Sequence, residues 1–79
     1  MSEASHHPIR HGQWADLSSP ALAALDRERL IAVLPVGATE QHGPHLPLSV
    51  DSDLAIAVLN RALGLAAAEA IRPSVLALP

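Results

Sequence analysis

Glu40, His42 and Asp51 are the residues of this chain whose types and spacing bear most directly on chemistry. They lie in TEQHGPHLPLSVD, Thr39 to Asp51, a polar stretch that interrupts an otherwise aliphatic sequence. The stretch gathers two carboxylates, two imidazoles (His42 and His45), Gly43 and two prolines. If the chain is extended over Thr39–His42, side chains at i and i+2 point the same way, so Glu40 and His42 face one site with Gln41 turned away. Gly43 and Pro44 then reverse the chain, LPLSV returns it, and Asp51 at the start of the next element can swing toward the same place.

One imidazole and two carboxylates make a mixed nitrogen and oxygen donor set. Ca²⁺ prefers all-oxygen shells, and the lack of cysteine argues against a structural zinc site. The set therefore suits catalytic Zn²⁺ or Mn²⁺. Two carboxylates can also hold two cations, since one carboxylate can bridge them, and metals about 3.5–4 Å apart can share and acidify a water. An ordinary solvated loop has the same composition, however, and Asp51 is equally a good helix N-cap, so residue types alone leave both readings open. His45 is a weaker ligand candidate. It serves equally as a substrate contact, as a hydrogen-bond donor behind a ligand, or as a hinge residue packed on the prolines.

The elements that must position this loop are legible on either side of it. LIAVLPVG, residues 30–37, is a short apolar run ended by Gly37 and reads as a strand buried on both faces. Pro35 sits awkwardly within it, because proline donates no ladder hydrogen bond. From Asp51 or Ser52 to about Ile71 the pattern is helical. Leu54, Val58, Ala62 and Leu65 recur at spacings of three and four, and Ile56, Leu59 and Leu63 widen the apolar face. Asp51 and Asp53 favour the N-terminal end, Arg72 and Pro73 close the helix, and SVLALP begins a second apolar strand.

Upstream, SSPALAALDRERL predicts a short helix with Ser19 as N-cap and Pro20 at the first helical position. Residues 1–13 read as a polar flexible tail in which His6, His7 and His11 are surface residues, leaving 14–79 as the folded part. Strand, loop, helix, strand is a βαβ unit of the α/β class with parallel strands. Such sheets carry helices on both faces, which one unit cannot supply, and the chain stops where a further loop and helix should begin; the unit reads as truncated. Ligands of open α/β sheets bind beyond the carboxyl ends of the strands, where the loop after Gly37 emerges.

Composition narrows the partners. At 49% apolar residues the chain is too greasy for a disordered polymer, and without cysteine it has no disulfide framework. A net charge of −3, with five arginines and no lysine, leaves no basic stripe, so nucleic acid is not expected. The run from Leu54 to Ile71 approaches membrane-spanning length, but Asn60, Arg61 and Glu69 interrupt it, so no membrane partner is expected either. MSEASHHPIRHG has no apolar core of the kind a secretory signal needs, which makes cytoplasmic the expected location.

LPVGATEQHGPHLPLSVD, Leu34 to Asp51, closely resembles the signature of the creatininase (creatinine amidohydrolase) family, and the resemblance extends over roughly residues 14–79. It implies an α/β/α sandwich with a mainly parallel sheet and a homo-oligomeric, commonly hexameric assembly. It also implies metal-dependent hydrolysis of C–N bonds in amides or cyclic amides by a metal-activated water in a dinuclear Zn²⁺ or Mn²⁺ site. Carried onto this chain, Glu40 would hold one metal, His42 the second, and Asp51 would bridge them; His45 lies inside the motif without being a usual ligand. The family draws a further His and Glu from downstream. With the chain ending at Pro79 before such a pair, the fragment alone is expected to bind metal weakly and to be inactive. Ser49 and Val50 stand where many members carry Gly and Thr. The substrate is expected to be a small amide-containing molecule; creatinine, a formamide and a peptide bond in a maturing cofactor precursor all remain open. The competing reading is a non-catalytic metal-binding or assembly module of the same fold.

Overall fold

The structure, a computed structural model, describes residues 7–79. His6 and the start of the expected tail lie outside the described residues. The elements run β1 (His11–Gln13), α1 (Ser19–Ala23), β2 (Leu30–Val33), α2 (Val50–Ala68) and β3 (Ser74–Ala77). Single 3₁₀ turns at Trp14–Asp16 and Arg27–Arg29 lead out of β1 and into β2.

The strands form one sheet in the order β1-β3-β2, and both pairings are parallel. Leu76 stands opposite Gly12 on one side and Ala32 on the other. The β2–α2–β3 path is the βαβ unit expected from the sequence, and the α/β class is borne out. Burial concentrates on the central strand: Leu76 is 1% and Ala77 2% exposed, with Leu25 and Leu63 completing the buried apolar set.

The tail expected over residues 1–13 is corrected at its C-terminal end, because His11–Gln13 is a strand. Its side chains gave no apolar signal, and backbone bonding places it there. The Val75 N–H donates to Arg10 O at 3.0 Å, and the Arg10 N–H donates to Ser74 Oγ at 2.9 Å. His11 Nδ1 also accepts from the Val75 N–H at 3.3 Å, while the exposed His7 ring meets Ala24 O at 3.1 Å.

Helix α1 starts one residue earlier than expected. Ser18, not Ser19, is the N-cap, its Oγ accepting from the Ala21 N–H at 3.2 Å, with Pro20 inside the first turn. Strand β2 is shorter and more open than expected. It stops at Val33, before the proline that has no N–H to give, and at the sheet edge Ile31 remains 47% exposed.

Helix α2 departs from expectation in its face and in its end. The side turned from solvent runs Ala55, Leu59, Leu63 and Ala66, one row at helical spacing. Leu54 and Val58, read as the centre of the apolar face, are 60% and 68% exposed. In a helix this uniformly aliphatic, periodicity does not choose a face; docking on the sheet does. The helix ends at Ala68, three residues before Ile71. The Ile71 N–H donates to Ala66 O (3.0 Å) and the Ala70 N–H to Ala67 O (3.2 Å), while Ala70 takes a left-handed φ of 51°. That pair of bonds is a Schellman motif, which stops a helix by itself before Arg72 and Pro73 are reached.

Candidate metal centre

The loop between Val33 and Val50 has no regular secondary structure, so its shape depends on ties at both ends. At its tip, Gly43 adopts φ 84°, a left-handed conformation that costs other residues more, and its N–H donates to Gln41 Oε1 at 2.9 Å. This is the reversal expected of Gly43 and Pro44. Closer to the base, the Glu40 N–H donates to Leu48 O at 3.2 Å and closes the loop on itself. Lower still, the strand exit meets the helix start: a Cβ placed on Gly37 would lie 2.5 Å from Ser52 N and 2.8 Å from Asp51 C. Only glycine permits that approach. The sequence marks Gly37 merely as the residue ending a strand; its role as a contact surface depends on a partner fifteen positions away.

These ties bring Glu40, His42 and Asp51 together. Each offers one donor atom, and the three atoms all lie within 4.8 Å of one another. His42 Nε2 is 3.6 Å from Asp51 Oδ2, beyond hydrogen-bonding reach. The two side chains differ in exposure, His42 at 20% and Asp51 at 42%, so water reaches the carboxylate more readily than the ring.

The imidazole nitrogen is the informative atom. His42 Nε2 is buried and has no hydrogen-bond partner among the described residues. A polar atom shielded from water without a partner is costly, and one flanked by carboxylate oxygens at this separation has room for a cation between them. The donor chemistry and the orphaned nitrogen thus fit a metal cation. Asp51 stands in the first turn of α2 while Ser49 holds the N-cap position, so capping does not occupy Asp51. Ser49 Oγ donates instead to Asp53 Oδ2 at 2.8 Å, which turns Asp53 toward the cap. His45 is exposed on the loop and stays outside the group of three.

The model of the creatininase family, described as creatinine amidohydrolase, matches residues 15–79. The chain belongs to the creatininase family. The resemblance read from Leu34–Asp51 is thereby borne out. Among curated proteins, the chain is 47% identical to a mycofactocin precursor peptide peptidase of Mycolicibacterium smegmatis over 49 residues, covering 62% of this chain and 20% of that protein. It is 46% identical to a protein of the same name from Mycobacterium tuberculosis over 43 residues, or 54% of this chain and 17% of that one. A third, from Mycobacterium ulcerans, is 62% identical over 26 residues, 33% of this chain and 10% of that protein. This creatininase-family chain thus aligns with a fifth or less of the length of these relatives. No solved structure matches it. Among the described residues, no helix is long and apolar enough to cross a membrane.

Proposed function

We propose that this chain supplies the Glu40, His42 and Asp51 donors of a metal-dependent hydrolase of C–N bonds, and that the bond cleaved is a peptide bond in a precursor peptide. One observation supports the metal reading above others: a buried, unpartnered imidazole nitrogen grouped with two carboxylates within 4.8 Å. Family membership supports amide hydrolysis. The printed names of the mycobacterial relatives favour a peptide over a cyclic amide as the substrate class.

A divalent cation bound here supplies a Lewis acid that acidifies water and polarises an amide carbonyl. The chain's own residues bind and orient. Glu40 and His42 approach from the strand side of the loop and Asp51 from the helix side, so the donors converge from two directions without a long side chain having to fold back. Glu40, His42 and Asp51 would together hold the cation, Asp51 having a second carboxylate oxygen to offer were another to bind. His42 would offer its Nε2, which has no hydrogen-bond partner among the described residues. Three donors shared between two cations hold them weakly, so the chain by itself binds metal without turning substrate over. The working enzyme is, on this reading, a cytoplasmic homo-oligomer.

Two measurements test the proposal. Equilibrium dialysis of the chain against Zn²⁺ and Mn²⁺ should find bound metal, and failure to find any sinks the reading. Mass spectrometry of a precursor peptide incubated with the full gene product should find a cleaved amide. Turnover of creatinine with the peptide left intact would overturn the substrate assignment while sparing the metal centre.

A further inference from the structure

We infer that Ser52 is a positioning residue of the metal centre, its hydroxyl clasping the strand exit to the helix start so that the donors of the two segments stay within range of one cation. This rests on the metal reading above and goes beyond it, since Ser52 is no ligand. Ser52 Oγ donates to Gly37 O at 3.1 Å in a part-buried bond. Among the described residues, no backbone N–H outside regular helices and strands donates to that carbonyl. The hydroxyl therefore satisfies an acceptor that the loop leaves open.

The position of this bond gives it leverage. Gly37 precedes Glu40 by three residues and His42 by five, and Ser52 adjoins Asp51. The clasp thus sits at the neck from which all three donors hang. The Glu40 N–H to Leu48 O bond closes the loop above the neck without reaching the strand exit. The clasp ties that exit to the first turn of α2. Gly37 makes it possible, because any Cβ there would collide with the Ser52 backbone and hold the two segments apart. Metal affinity depends on donors being held in place before the cation arrives, and residues that orient ligands without touching metal typically contribute about 10–100-fold.

The test compares the unaltered chain with Ser52→Ala and Ser52→Thr by two readouts. Amide hydrogen exchange without metal reports on the neck, and Mn²⁺ titration reports on the centre. Ser52→Ala should exchange the Glu40 amide several-fold faster and weaken Mn²⁺ binding about tenfold or more, while Ser52→Thr, which keeps the hydroxyl, restores both. Unchanged exchange in Ser52→Ala overturns the clasp. Faster exchange with unchanged Mn²⁺ affinity also overturns it, because the bond would then be structural only. Absence of both Mn²⁺ and Zn²⁺ binding in the unaltered chain is a separate result, seen before any variant is compared; it overturns the metal reading and this inference with it.

Discussion

His42 Nε2 and Asp51 Oδ2 stand 3.6 Å apart, nine residues distant in sequence, with no hydrogen bond joining them and, among the described residues, no other partner for the ring nitrogen. A plain ion pair would close the gap and satisfy both groups. A solvated loop would let water reach the nitrogen. The observed geometry does neither. It holds a donor atom shielded, unpaired and near carboxylates, which is the arrangement a cation completes.

Replacing His42 by Ala should therefore remove Zn²⁺ or Mn²⁺ binding more completely than loss of an orienting residue does, by more than about 100-fold. His45→Ala is the matched control, because His45 lies in the same loop but outside the donor group. Its affinity should stay within about threefold of the unaltered chain, far inside the range for residues that orient ligands. Calorimetric titration of both variants checks the pair, and equal losses would mean that imidazole content, not geometry, drives binding.

Asp51→Asn separates metal binding from helix capping. If Asp51 were the N-cap, Asn would replace it almost without loss, and metal affinity would be irrelevant. Ser49 occupies that position instead, and Asp51 contributes to the helix only through its charge in the first turn. The metal-free variant should lose less than about 1 kcal/mol of stability in urea melts, the usual scale of a helix-dipole interaction. Metal binding should fall steeply, because a neutral amide is a poor ligand for a divalent cation. A variant that kept its metal affinity would return Asp51 to a merely structural role.

How much of this was readable beforehand depended on the kind of signal. The grouping of Glu40, His42 and Asp51 was legible because residue type and spacing are local properties. So were β2, α2 and β3, whose apolar runs differ in length and periodicity. Strand β1 was hidden because His11, Gly12 and Gln13 carry no hydrophobic pattern; Arg10 and Val75 place it through the backbone. The buried face of α2 was hidden for the opposite reason, since apolar residues surround the helix and any face looks suitable. Gly37 and Ser52 were missed as a pair because their contact exists only after the loop has closed.

Leu63 and Leu54 turn that ambiguity into a measurement. Leu63 is 6% exposed and Leu54 60%, although the sequence pattern ranks Leu54 no lower. Leu63→Ala should cost about 2–4 kcal/mol, as loss of a buried leucine does, through lost burial and the cavity left behind. Leu54→Ala should stay within about 0.5 kcal/mol, the range of exposed positions. Urea denaturation of the two variants settles which face of α2 the sheet covers; a reversal of the two values would rotate the helix.

Ala70 and Gly64 form the last test, one residue exchange run in both directions. Ala70 closes α2 with a φ of 51°, a conformation in which its Cβ crowds the backbone, while Gly64 lies inside the same helix, where a Cβ would meet nothing within 4 Å. The left-handed state costs a non-glycine residue about 1–2 kcal/mol. Glycine inside a helix costs roughly 0.5–1 kcal/mol relative to alanine. Ala70→Gly should therefore stabilise the chain, by less than the full strain because glycine also enlarges the freedom of the unfolded chain. Gly64→Ala should stabilise it by about 0.5–1 kcal/mol. The sites share no bond, so the double variant should approach the sum of the single gains. Urea midpoints should rise in all three with unchanged slopes. A destabilised Ala70→Gly would mean that α2 does not end in the Schellman turn, and that Arg72 and Pro73 set its length after all.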